Sequence, residues 1–162
     1  MTRREQLSRA RGNGVKVITV QGFWAWAIAA GHKPVENRPW KTDYRGPLAI
    51  HCGISRKWDD NSLKFLRGLN LSPPAEIPRG RIIAVATLVD ILEYEPPPSS
   101  PLLDRDERHP RLQTPHAFGP YCWCLDNPVA LPRPIPYTGA VGLKDLALNI
   151  RNEVRKQIAE AT

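Results

Sequence analysis

The chain has 162 residues, 41% of them hydrophobic and 24% charged, and a formal net charge of +7. That is the length of one domain, and a chain of this size buries roughly 70% of the surface its unfolded form exposes, so it can hold a real core. No run of about 18 apolar residues is present, which excludes a helical membrane span, and the basic N-terminus has no apolar stretch behind it to make a secretory signal, so the expected compartment is the cytoplasm.

Residues 1–14 read as a disordered basic arm, and 15–162 as a single domain. Arg3, Arg4, Arg9, Arg11 and Lys16 stand against Glu5, so more than half of the net charge lies in the first sixteen residues. Such an arm binds phosphates without sequence preference or stays solvated, and charge alone leaves both readings open.

"VKVITV" (15–20) is a β-rich run and predicts a first strand. "GFWAWAIAAGHK" has helical composition, with Gly31 as its stop. The next segment, "PVENRPWKTDYR", is crowded with charge, and Pro34 and Pro39 favour an extended chain around Glu36 and Arg38. In an extended chain Glu36 and Arg38 share a face and Asn37 takes the other. A carboxylate and a guanidinium side by side can orient one ligand, the first accepting from an N–H and the second forking onto a carbonyl or phosphate. The same spacing also describes an ordinary surface salt bridge worth little to stability.

"GPLAIHC" alternates and predicts a strand ending at His51. Residues 55–69 predict an amphipathic helix with Trp58, Ser62, Phe65, Leu66 and Leu69 on one face. "RGRIIAVATLVDILEY" is the longest β-branched run and predicts a central strand. Residues 95–117 contain six prolines and seven charged side chains, which predicts a long loop or flap with no regular element. "FGPYCWCLDNP" predicts a further strand, with Tyr121 and Trp123 on one face and Cys122 and Cys124 on the other. Two aromatics at that spacing pack a core or stack a base. "ALPRPIPYTGAVGL" predicts a proline-punctuated edge strand and turn, and residues 144–159 a closing helix with Leu146, Ile150, Val154 and Ile158 inward. Trp24, Trp26, Trp40 and Trp58 are expected as core anchors. Four to six strands with three helices, without βαβ alternation, indicate an α+β fold around a curved or barrel-like sheet.

Cys52, Cys122 and Cys124 are an odd number of thiols, so a disulfide framework is not expected. With His51 they supply zinc-ligand types, but Cys-x-Cys on a strand is not knuckle spacing, and buried thiols are the simpler reading. No metal and no cofactor are expected: phosphate-loop, dinucleotide-glycine and zinc-hydrolase motifs are missing, as is a Gly-x-Ser-x-Gly elbow.

The stretch from Thr19 to His51 resembles the N-terminal signature of ASCH domains (activating signal cointegrator homology), in the PUA-like superfamily. The likeness rests on Trp24, Gly31-His32-Lys33, Glu36-Asn37-Arg38, Trp40, Tyr44-Arg45-Gly46 and Ile50-His51, and later segments follow in order to about Leu146. The resemblance implies a small β-barrel flanked by about three helices, with Lys33, Glu36 and Arg38 in a cleft between them. It implies RNA, single-stranded nucleic acid or a modified nucleoside as partner. Trp24, Arg45, His51, Tyr121 and Trp123 are the further expected ligand contacts. Some family members resemble amidohydrolases of an acylated cytidine that use a Lys and a Thr of this turn. Lys33 matches that Lys, and Glu36 stands where the pattern has Thr, so Lys33 and Glu36 are the candidate catalytic pair. Hydrolysis of RNA or of an acylated nucleoside is thus one alternative, and a non-catalytic protein-interaction module is another.

Overall fold

The computed structural model describes residues 14–100 and 102–161. The basic arm expected over 1–14 therefore lies outside the described residues except for Gly14. The architecture is α+β: a six-stranded mixed sheet with three α-helices among the described residues, two packed on the sheet and the third on one of those two.

Strand β1 (Lys16–Val20) runs parallel to β3 (Gly46–Cys52). β3 pairs antiparallel with β4 (Arg81–Glu93), and β4 with β5 (Tyr121–Pro136). β2 (Val35–Arg38) is the edge strand on β5, and the short β6 (Lys144–Asp145) is the opposite edge on β1. The sheet curves through register shifts in β4 but its edges do not pair, so the barrel is open. β4 is central, as its unbroken β-branched run predicts.

Both faces of the sheet are covered. Helix α1 (Gly22–Ala29) seats Ala25 and Ile28 on Ile18, Leu48, Ile50 and Trp123. Helix α3 (Leu148–Glu160) lays Val154 and Ile158 over Val17, Ala49, Ile82 and Val85 on the other side. This is why every residue of β3 is buried, where the alternation read from "GPLAIHC" predicts one wet face. Helix α2 (Asp59–Gly68) packs Leu66 against Phe23 and Ala27 of α1.

Three boundaries differ from the sequence reading. α2 starts at Asp59 rather than near Ser55, which leaves Trp58 exposed before the helix instead of anchoring its apolar face. α3 starts at Leu148, because Lys144 and Asp145 are taken by the β1 ladder, where Lys16 Nζ meets Asp145 Oδ1 at 2.7 Å. The prolines of 128–136 do not end β5. Pro132 and Pro134 fall where the pairing with β4 is interrupted, and the Arg133 N–H and C=O there are bonded by the Gln157 side-chain amide, each at 2.9 Å.

The described residues of the 95–117 segment form a loop with one 3-10 turn, Pro110–Leu112. It is tied inward by Arg111, whose guanidinium forks onto Asp126 at 2.8 and 2.9 Å.

Candidate functional site

The charged segment comes to line a cavity through the way α1 ends. Gly31 takes φ +82°, a conformation that suits glycine, and the N–H groups of His32 and Lys33 return to the Ala27 carbonyl at 2.9 and 3.0 Å. The chain reverses there and directs Lys33 under the helix. Pro34 ends the turn and β2 begins. Its pairing with β5 sets Glu36 opposite Trp123 and Arg38 opposite Tyr121. Strand alternation then gives Glu36 and Arg38 one face and Asn37 the other.

Glu36 sits between two cations. Its Oε1 accepts from Lys33 Nζ at 3.0 Å and from its neighbour's backbone, Asn37 N, at 3.1 Å. Its Oε2 accepts from Arg38 Nη2 at 3.0 Å. Lys33 also donates to the Val35 carbonyl, and Arg38 Nη2 to the Thr19 carbonyl at 2.6 Å. Lys33 is 4% exposed and Glu36 9%. Burial acts to raise the Glu36 pKa, but the charges of Lys33 and Arg38 and the hydrogen bonds from both hold it below the ordinary carboxylate value. Glu36 is therefore ionised at neutral pH, and the triad carries a net single positive charge.

The triad lines a cavity of about 430 Å³ open to solvent. Its other walls combine rings with Thr19, Gln21, Asn37 and Pro39. Trp24 of α1 lies with its ring 5.8 Å from Lys33 Nζ. His116 and Phe118 come from the end of the proline-rich loop, and both pack on Phe65 of α2, at centroid distances of 5.5 and 5.7 Å. Asn37, on the far face of β2, holds this loop end: it donates to the His116 carbonyl at 2.9 Å and accepts from Phe118 N and Gly119 N at 2.8 Å each. His116 is 3% exposed and its Nδ1 has no hydrogen-bond partner. Burial, then the charges of Lys33 and His32, pull its pKa down to about 4, so it is a neutral imidazole at pH 7.

Of the residues singled out from sequence, Lys33, Glu36, Arg38 and Trp24 meet in this cavity. The other four lie elsewhere. Trp123 is wholly buried in the core, edge-on to Trp40 at 4.8 Å, with its indole N–H given to the Trp40 carbonyl at 3.1 Å. Tyr121 is half-buried at the β2 edge beneath Lys41. Arg45 is turned onto the Thr42 and Tyr44 carbonyls. His51 lines a neighbouring groove rather than the triad cavity. Tyr121 and Trp123 do not reach the cavity because their face of β5 is roofed by the core under α1.

Thr19, Gln21, His116 and Phe118 line the cavity without having been singled out from sequence. Thr19 and Gln21 mark the join of β1 and α1, and nothing in their types sets them apart from structural residues. His116 and Phe118 carried one signal, a His and an aromatic held between Pro115 and Pro120 at the end of a loop long enough to be functional.

All three thiols are free and buried. Burial pushes Cys52 and Cys124 up to about 11. Among the described residues no group of three or more His, Cys, Asp or Glu is arranged to hold a metal ion, and no helix is long and apolar enough to cross a membrane.

The family model "ASCH domain" matches residues 18–114, more than half of the chain and all of the charged segment. The chain belongs to the ASCH domain family. This ASCH domain is also similar to the crystal structure of a mutant of the ASCH protein ZmASCH from Zymomonas mobilis. The two are 16% identical, with a TM-score of 0.51 over 89% of this chain and 98% of that one. The crystal structure of ASCH from the same organism is likewise 16% identical, with a TM-score of 0.47 over 91% of this chain and 94% of that one. At such identity the likeness is one of fold. No curated protein is significantly similar to the chain. At the coarse level, the ASCH family is associated with nucleic acid.

Proposed function

We propose that this ASCH domain binds single-stranded RNA, or a modified nucleoside of the same chemistry, through the cavity of Lys33, Glu36 and Arg38. The observation that carries the reading is the ionised Glu36 paired with Arg38 beside aromatic side chains, with one acceptor position of the carboxylate left open. Glu36 Oε2 accepts one bond and has room for a second, which suits an exocyclic amine or ring N–H of a base. Arg38 uses Nη2 for both of its protein contacts, and its Nε is buried without a partner. With Nη2 engaged and Nε buried, the guanidinium can still present Nη1 to a carbonyl or phosphate. Trp24 and Phe118 offer apolar surface to a base, the usual way a single strand is held. The excess positive charge of the triad favours a ligand carrying phosphate.

The hydrolase reading asks Glu36 to take up a proton. A carboxyl held below its ordinary range by two cations is a weak base, so the geometry favours recognition over proton transfer. The basic residues 1–13 would add affinity through phosphates alone.

The test is a fluorescence titration of short single-stranded oligoribonucleotides with wild-type, Arg38→Ala and Glu36→Gln proteins. The reading predicts that Arg38→Ala loses at least tenfold in affinity and that Glu36→Gln retains part of it, since the amide oxygen still accepts. Unchanged affinity in a folded Arg38→Ala protein would remove the cavity from the binding site. Product release by wild type that disappears in Glu36→Gln would favour the hydrolase.

A further inference from the structure

A second groove adjoins the triad cavity and shares two of its walls, Thr19 and Gln21. Its volume is about 520 Å³, and its other walls come from residues 53–55, the 137–141 turn and His51. Its chemistry is the opposite of the first site. No Lys, Arg, Asp or Glu lines it. Two of the exposed large apolar side chains of the molecule stand at its rim, Ile54 at 76% exposed and Val141 at 93%. Exposed apolar side chains that converge on one concave surface mark a contact site more than scattered ones do.

The floor is built with care. His51 is 2% exposed. Its Nδ1 lies 2.9 Å from the Thr19 hydroxyl, and its ring stands edge-on to Tyr137 at 5.3 Å. Its Nε2 is buried with no formed hydrogen bond, although the Tyr137 backbone lies near enough to oppose slightly the lowering of the pKa by burial. Gly139 presses directly on this pair: a Cβ there would fall 2.7 Å from His51 Cε1 and from Thr19 Oγ1. At Gly139 the turn thus lends its backbone to the groove wall, with the Tyr137 ring and the Val141 side chain on either side. Thr19 couples the two sites, since its carbonyl receives Arg38 and its hydroxyl meets His51.

We infer that this groove is a second base subsite, which takes the uncharged ring of the nucleotide adjacent to the one held by Lys33, Glu36 and Arg38. This rests on the reading of the triad cavity as a nucleotide site. The occupant follows from the pairing of sites: one positively charged, one uncharged and apolar with a single buried imidazole, joined over the Thr19–Gln21 ridge. A nucleic-acid strand offers that alternation, with charged phosphates between flat neutral rings. A free anion finds no cation in the groove, and a charged side chain finds no counter-charge.

The experiment is an amide-shift titration of the full chain with ribonucleoside monophosphates and with ribodinucleotides. It is repeated on the double variant Ile54→Ser/Val141→Ser, whose positions are exposed and leave the core intact. Dinucleotides should bind wild type about tenfold more tightly than monophosphates, within the range that stacking one base contributes. They should shift the Ile54 and Gly139 amides, which monophosphates leave unmoved. The double variant should bind dinucleotides only as well as monophosphates, with its monophosphate affinity unchanged. Equal affinity of wild type for both probes, or dinucleotide shifts confined to Lys33–Arg38 and His116–Phe118, would overturn the subsite and leave the triad cavity standing. Binding of neither probe would overturn the triad reading and the subsite with it.

Discussion

Asn37 Oδ1 accepts the backbone N–H of Phe118 at 2.8 Å, joining the edge strand β2 to a loop 81 residues further along the chain. The same oxygen takes Gly119 N, and the Asn37 amide nitrogen gives to the His116 carbonyl. One side chain on the back of β2 therefore positions the aromatic wall of the cavity, while Glu36 and Arg38 on the front supply its charge. Asn37→Ala should leave two backbone N–H groups without partners and cost about 2–3 kcal/mol. Hydrogen exchange should rise at Phe118 and Gly119 ahead of the rest of the chain. Exchange at those amides unchanged from wild type would show that the loop end is held by other contacts.

The burial of the triad changes what its mutation does. From sequence, Glu36 and Arg38 suit an exposed pair of little worth; in the fold Glu36 is a buried anion whose pKa is depressed by Lys33 and Arg38. A group with a lower pKa folded than unfolded stabilises the fold above its unfolded pKa, and that stability is lost as pH falls through the folded value. Wild type should therefore lose stability below about pH 4.5, and Glu36→Gln should show a flatter acid limb in that window. Denaturant midpoints measured from pH 6 to pH 2 check this. Parallel acid limbs for the two proteins would contradict it. Arg38→Ala should also destabilise, by about 2–4 kcal/mol, because it removes a partner from a buried charge.

His116 acts in a higher window. Its pKa is drawn from the ordinary 6.5 to about 4 by burial and by the charge of Lys33. The unfolded chain takes up a proton at this position first, so stability is complete above about pH 6.5 and declines toward pH 4. The loss is on the order of 2–3 kcal/mol for a group this buried. Imidazole carbon shifts followed by NMR should place the His116 midpoint at least one unit below that of an exposed histidine. A midpoint near 6.5 would mean that the ring is solvated and does not form the cavity wall.

Strands β1, β3 and β4, the start of β5, the central place of β4, the helix stop at Gly31 and the shared face of Glu36 and Arg38 were legible in the sequence because each rests on local periodicity or on a single residue's backbone preference. Long-range pairing was not legible. β3 is buried on both faces because α3, a hundred residues later, covers its second side. Trp123 is sealed in the core because α1 roofs its strand face, while the same pattern of alternating aromatics suits an open stacking platform equally well. His116 and Phe118 reach the cavity through a loop whose path depends on Asn37 and on the Arg111–Asp126 fork, neither of which leaves a periodic trace.

The central claim is that ligand enters between β2, α1 and the end of the proline-rich loop. The most direct measurement is the map of backbone amide shifts in the 162-residue chain on titration with a short single-stranded oligoribonucleotide. The account predicts shifts at Thr19, Gln21, Glu36 to Arg38 and His116 to Phe118, and their loss in Arg38→Ala at the same RNA concentration. Shifts confined to α3 and the residues before β1, with the cavity amides unmoved, would contradict it.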